Sequence, residues 1–146
     1  MINPVIGLLV IAGGALVAQN LLMANMVRSA SSIVVVLATN SAVGLSALLT
    51  LLLVRDGFAG IAEAVGAFRP FHVLPGLLGS FFVFASIHGY QRLGPTATIA
   101  TLVASQLIIG LAVDLARAPS FNLQQVAAPL LGAVLLVLGA GLVAAR

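Results

Sequence analysis

The stretch PTATIATLVASQLIIGLAVDLAR, residues 95–117, carries no charge from Pro95 to Val113; Asp114 and Arg117 then close it. A helix that crosses a bilayer needs about 20 mostly apolar residues, so hydrocarbon is the natural surrounding for this run. It defines a span from about Pro95 to Ala116, and four more runs of the same kind appear outward from it. They cover about Asn3 to Val27, Ser31 to Val54, Phe71 to Tyr90 and Leu123 to Ala145. All are continuous and too long for barrel strands of about 10 alternating residues. Helices are therefore expected, because in lipid they satisfy every backbone group internally.

Composition agrees. Of 146 residues 62% are hydrophobic and 6% charged, against about 25% charged in a soluble domain. Six arginines and three carboxylates cannot build a water-facing surface. With no Cys, the chain has no disulfide framework, thiolate metal site or thiol nucleophile. The arginines stand at segment ends, where they read as topology and snorkelling signals and not as a nucleic-acid patch. The start, MINPVIGLLV, has no basic region and no convincing cleavage site follows, so the first run is expected to stay as a membrane helix.

Pro4, Pro75 and Pro95 lie near segment starts, where a missing N–H costs least; Pro129 is deeper and is expected to bend the fifth helix. The connections at Arg28–Ala30, Gln91–Gly94 and Arg117–Asn122 are short, which makes neighbouring helices antiparallel. The longest connection, Arg55 to Pro70, places Phe58, Ile61, Val65 and Phe68 on one helical face. A short helix over about 57–68, lying in the membrane interface, is expected there. The fold expected is thus all-α: one transmembrane domain over 1–146, with five spanning helices and an interfacial helix between the second and third.

Five spans put Arg55, Arg69 and Arg117 on one side and Arg28, Arg92 and Arg146 on the other. Positive charge normally selects the cytoplasmic side, and here the bias is nil. Insertion in both orientations would let two copies pair head to tail and make an inverted repeat from one gene, a recurring transporter architecture. Close approach of membrane helices depends on small residues. Gly76 and Ser80 on the third helix, and Gly132 and Gly139 on the fifth, are the expected packing or dimer positions.

Polar groups at membrane depth mark helix contacts or a wet path. The first helix carries Gln19, Asn20 and Asn25, and the second Thr39, Asn40 and Ser41; Thr98, Thr101, Ser105 and Gln106 lie on the fourth. Gln106, Gly110 and Asp114 step by four and stay on one face. Two readings fit them: an amide and a carboxylate shown to one cavity, or an amide glue contact beside an Asp114–Arg117 pair at the interface. His88, within a turn of the membrane boundary, reads as a solvated interfacial residue or a proton relay. His72 and His88 are too far apart to chelate together, and no cofactor is implied. No nucleophile elbow, paired carboxylates or phosphate loop with its Lys exists, which leaves an enzyme little to stand on. Only Asp114 is placed to exchange a proton against a substrate; otherwise neutral polar groups would bind it.

The run GLLGSFFVFASIHGYQRLGPTATIATLVASQLIIGLAVD, residues 76–114, resembles the YdcZ-like family of small membrane proteins in the drug/metabolite transporter superfamily. The likeness rests on the GLLGSFFV opening, the RLG turn at 92–94, and Gln106 followed by Asp114 eight residues on. Ser105 stands where the family often has Gly. Gln19 fits a glutamine of the first helix, and Met23 and Asn25 are both near where an asparagine is expected soon after. The resemblance implies a five-helix half-transporter whose dimer is similar to ten-helix members built of two inverted halves. In architecture the chain also resembles small multidrug resistance proteins, but it lacks their first-helix membrane glutamate.

The expected protein is a transporter subunit of the bacterial inner membrane, surrounded by lipid. It is expected to act as a homodimer, antiparallel in arrangement, or as a heterodimer with a paralogue. Gln19, Asn40, Ser105 and Gln106 would line the substrate cavity, with Asp114 and His88 nearer its mouth for proton or ion coupling. The rival reading is a non-transporting assembly or lipid-interacting protein.

Overall fold

The computed structural model describes residues 4–117 and 123–144, with backbone alone for 123–126 and 144. The α4–α5 connection at 118–122, the span start at Asn3, and Arg146, which closes the arginine count, lie outside the described residues. The described residues form α1 (Pro4–Met26), α2 (Ile33–Gly66), a single 3-10 turn (Pro70–His72), α3 (Val73–Arg92), α4 (Pro95–Arg117) and α5 (Leu123–Ala144). The fold is all-helical. Four stretches, Pro4–Met26, Ile33–Gly66, Pro70–Arg92 and Pro95–Arg117, are long and apolar enough to cross a membrane; Ala127–Val143 is a shorter apolar helix.

Burial runs opposite to that of a water-soluble domain. In the most apolar window of α1 only 6% of residues are buried, while Val10 and Ile11 are each 71% exposed and Leu142 77%. Apolar side chains that point outward along whole helices need an apolar solvent.

The chain divides into two compact units, Met1–His88 and Gly89–Arg146. In the first, Met23 of α1, Val36 of α2 and Ile87 of α3 form the buried core, with Val27, Ile33, Leu37 and Val83 packed on it. Ser32 starts α2 by accepting the Val35 N–H on its hydroxyl at 3.3 Å, which satisfies one orphan donor of the first turn. The charged dipeptide Arg55–Asp56 does not end the helix: α2 continues to Gly66, and Gly57 (φ 64, ψ −156) is its one non-helical residue. The separate 57–68 helix expected from periodicity is therefore the far arm of a kinked α2. A straight 34-residue helix would run about 50 Å, against a hydrocarbon core of about 30 Å. The kink at Gly57 breaks that length into two shorter arms.

Beyond the kink the far arm lies against the near one. A Cβ at Gly60 would fall 2.8 Å from Asp56 Cβ and 2.9 Å from Leu52 Cδ1, so a side chain there would force the crossing to shift. Leu49, Leu52, Ile61, Ala64, Val65 and Phe68 line an apolar groove of about 310 Å³ between the arms. The Gly57 backbone lies in a region that L side chains rarely enter, which predicts that Gly57→Ala costs about 1–3 kcal/mol. The chain has no Cys, so spin labels on Leu49→Cys and Ala64→Cys report the kink alone. The expected result is a lower unfolding temperature and a longer label distance; an unchanged distance would show that the kink does not need this glycine.

In the second unit α5 packs along α4. An apolar groove of about 450 Å³ runs between them, lined by Ala100, Ala104, Leu136 and Gly139 among others. The α3–α4 turn is tight. Gly94 has φ +82, Pro95 opens α4, and the Gly94 carbonyl accepts both the Thr98 N–H at 3.3 Å and the Thr98 hydroxyl at 2.8 Å. Gly-then-Pro is the sequence expected where one helix stops and the next begins.

Candidate functional site

Most hydroxyl side chains on these helices satisfy themselves. Thr39 donates to the Val35 carbonyl, Ser46 to Ala42, Thr50 to Ser46, Ser80 to Gly76, Ser86 to Phe82 and Thr101 to Ala97. An amide carries two N–H donors and a carbonyl acceptor, so one bond to its own helix leaves it unsatisfied. That difference separates polar residues that are merely tolerated from those that seek a partner.

Of the site residues expected from sequence, the structure brings two together. Gln19 Nε2 donates to Asn40 Oδ1 at 3.3 Å, which joins α1 to α2, and it makes a weak 3.9 Å contact to the sulfur of Met23. Gln19 stands seven residues before the end of α1 and Asn40 seven residues after the start of α2. At 1.5 Å per residue both lie about 10 Å inside the helix pair. No charged residue occurs on α1 or between Ile33 and Val54 on α2.

Ser105 and Gln106 belong to the second unit, on α4, and both are exposed. The Ser105 hydroxyl donates to the Leu102 carbonyl at 2.8 Å, so its proton is already engaged. Gln106, at the midpoint of α4, has no hydrogen-bond partner among the described residues. Asp114 and Arg117 are also exposed, and the pair that their spacing allows is not formed; the ion pair among the described residues is Arg55–Asp56 at 3.8 Å. His88 is exposed and stacks on Phe84, ring centroids 6.3 Å apart. His72 is held locally, its Nδ1 accepting the Arg69 N–H at 3.3 Å. Among the described residues no group of His, Asp or Glu is placed to hold a metal.

Gly76 and Ser80 are exposed with open space beside Gly76, and Gly132 and Gly139 also have no atom within 4 Å of an added Cβ. The close approach in the second unit is elsewhere: a Cβ on Gly89 would lie 2.6 Å from Thr98 Cγ2. Sequence reasoning passed over that contact, and it passed over Asn20 as a site residue. Asn20 is 3% exposed, and its Oδ1 is buried without a partner. The one sequence signal that could have found it is its place with Met23 and Val27, at i, i+3 and i+7.

Long helices that bury so little of themselves, with neutral amides meeting between two of them, define a multi-pass membrane protein. The family described as "Putative inner membrane exporter, YdcZ" matches residues 4–142. Over 138 residues the chain is 48% identical to Inner membrane protein YdcZ of Escherichia coli (strain K12), covering 94% of this chain and 93% of that one. The chain belongs to the YdcZ family, as the likeness of residues 76–114 implied, and is a multi-pass protein of the bacterial inner membrane. No solved structure matches it.

Proposed function

We propose that this chain is one subunit of a small-molecule transporter of the drug/metabolite transporter type, working by alternating access as an antiparallel dimer. Gln106 carries the reading. It is an amide at the centre of a 23-residue apolar helix, exposed and unpartnered among the described residues. An unsatisfied amide in hydrocarbon costs several kcal/mol. A second subunit or a water-filled path would remove that cost, and a dimeric transporter supplies both. In this reading five helices span the bilayer and the far arm of α2 lies at its surface, with Phe58 and Phe68, both largely exposed, facing lipid. Gln19 and Asn40 of the first unit and Ser105 and Gln106 of the second are the proposed solute contacts, and Asp114 and His88 the proposed proton- or ion-coupling residues. The description of the family as "Putative inner membrane exporter" supports transport; the neutral amides support recognition by hydrogen bonds without an ion pair.

Reconstituted protein screened by thermal shift across metabolite classes identifies a ligand, whose flux is then measured in proteoliposomes. Gln106→Leu is expected to reduce that flux at least about tenfold, the weight of one buried polar contact, with folding intact. A Gln106→Leu protein that carries the ligand at the wild-type rate would favour the assembly reading.

A further inference from the structure

The Asn20 carbonyl has no role in the packing just described. It is an acceptor on a residue 3% exposed, with no donor in reach. Native folds rarely leave such an atom unexplained. Beside it in sequence, Gln19 is already bonded to Asn40, and that bond uses Gln19 Nε2 and Asn40 Oδ1. Gln19 Oε1 and Asn40 Nδ2 remain without partners among the described residues. Residues 19, 20 and 40 thus carry two unbonded carbonyl acceptors, the Asn20 one buried, and one unbonded N–H donor among the described residues, with no charge between Pro4 and Val54 except Arg28 at the connecting turn.

We propose that Asn20 is a solute-recognition residue, and that the solute is a neutral molecule bearing N–H or O–H donors, such as an amide or a polyol. An ammonium or carboxylate placed at these amides would be buried without a counter-charge, which costs more than neutral hydrogen bonds return. A neutral donor completes the Asn20 oxygen and exchanges bulk water for the amide set at little net cost. A solute without donors leaves that oxygen as it is and gains nothing from it. The inference rests on the transport reading and narrows its substrate.

The full chain in proteoliposomes tests it, with four probes. Ribitol and nicotinamide are neutral and carry donors; trimethylamine N-oxide carries no net charge and no donor; tetraphenylphosphonium is a donorless cation. Asn20→Leu removes the acceptor at similar volume. Asn20→Ala and Asn20→Ser, which differ by one oxygen, serve if the larger apolar side chain prevents folding. Flux of a donor solute is expected above that of empty liposomes in the wild type. It should fall about tenfold in Asn20→Leu and Asn20→Ala, the loss of one hydrogen bond, and be partly retained in Asn20→Ser. Asn20→Leu without solute should unfold at a higher temperature, since a stranded polar group is gone; that gain alone, with donor flux unchanged, would mean a purely structural Asn20 and overturn the proposal. Tetraphenylphosphonium flux without donor flux would overturn it too, while transport itself stands. If no probe crosses faster than through empty liposomes, the transport reading falls and this inference falls with it.

Discussion

Gly89→Val is expected to leave the α3–α4 turn unable to close, with a loss of about 3 kcal/mol or more and a sharp fall in the detergent-stable, monodisperse fraction. The cause is local. Even the first atom of any side chain at position 89 would lie 2.6 Å from Thr98 Cγ2, 2.8 Å from Thr98 Oγ1 and 3.3 Å from Thr98 Cβ. Thr98 has little room to yield: it is 5% exposed, and its hydroxyl is bonded to the Gly94 carbonyl. Rotating it away breaks that bond and strands the hydroxyl. The contact lies within the second unit, between the last turn of α3 and the first turn of α4, so relieving it by backbone movement would shift the start of α4. A double-mutant cycle separates this from a general loss of helix stability. Thr98→Ala alone should cost about 1 kcal/mol for the lost hydrogen bond. In Gly89→Ala with Thr98→Ala, both of the closest atoms are gone and the remaining approach is 3.3 Å. The double variant should therefore be more stable than the sum of the two single losses allows. Simple additivity in thermal unfolding would show that residue 89 does not press on Thr98.

The long apolar helices were legible in the chain because charge is nearly absent from them, and the Gly94–Pro95 turn was legible because each residue has a backbone reason to be there. The interior face was not. α1 is apolar on all sides, so nothing in its pattern says whether Gln19 or Asn20, about 100° apart on the wheel, looks inward. In water the polar face of a helix would answer that question; in lipid both faces are apolar. The bonded partnership of Gln19 with Asn40 likewise follows from how α1 and α2 lie together, which spacing within either helix does not encode. The continuation of α2 past Arg55 and Asp56 was hidden for a different reason. Two adjacent charges look like a loop, yet both side chains reach outward, Arg55 81% and Asp56 46% exposed, and the helical bonds run on beneath them. The periodicity of Phe58, Ile61, Val65 and Phe68 did mark a helix, but only Ile61 of the four is as much as half-buried. The Asp114–Arg117 pair failed because exposed ion pairs contribute little, so spacing alone does not form one.

Moving the arginine balance is expected to produce the largest functional change available without touching a polar site residue. With five spans, as proposed, three arginines would fall on each side and leave orientation unselected, and the proposed dimer needs both orientations. Ser29→Arg with Ser31→Arg adds two positive charges to the α1–α2 turn, at positions that are exposed and spare the Ser32 cap. Ala62→Arg with Ala67→Arg adds two, on the far arm of α2 and at the residue that caps it, also at exposed positions. Each pair shifts the count to five against three, in opposite senses, and short loops are where such a bias decides insertion. Reporter fusions at the chain ends should show the wild type facing both ways and each variant facing one way. Either variant alone should then carry solute no faster than empty liposomes, because copies threaded alike cannot form the head-to-tail pair. Expressed together they should regain flux, since each supplies the orientation that the other has lost. The recovery is the informative part: damage to folding by the added arginines would not be repaired by a second damaged chain. A wild type found in a single orientation, with flux intact in the variant that shares it, would rule out the antiparallel homodimer and leave a parallel dimer or a paralogue of opposite bias as the partner.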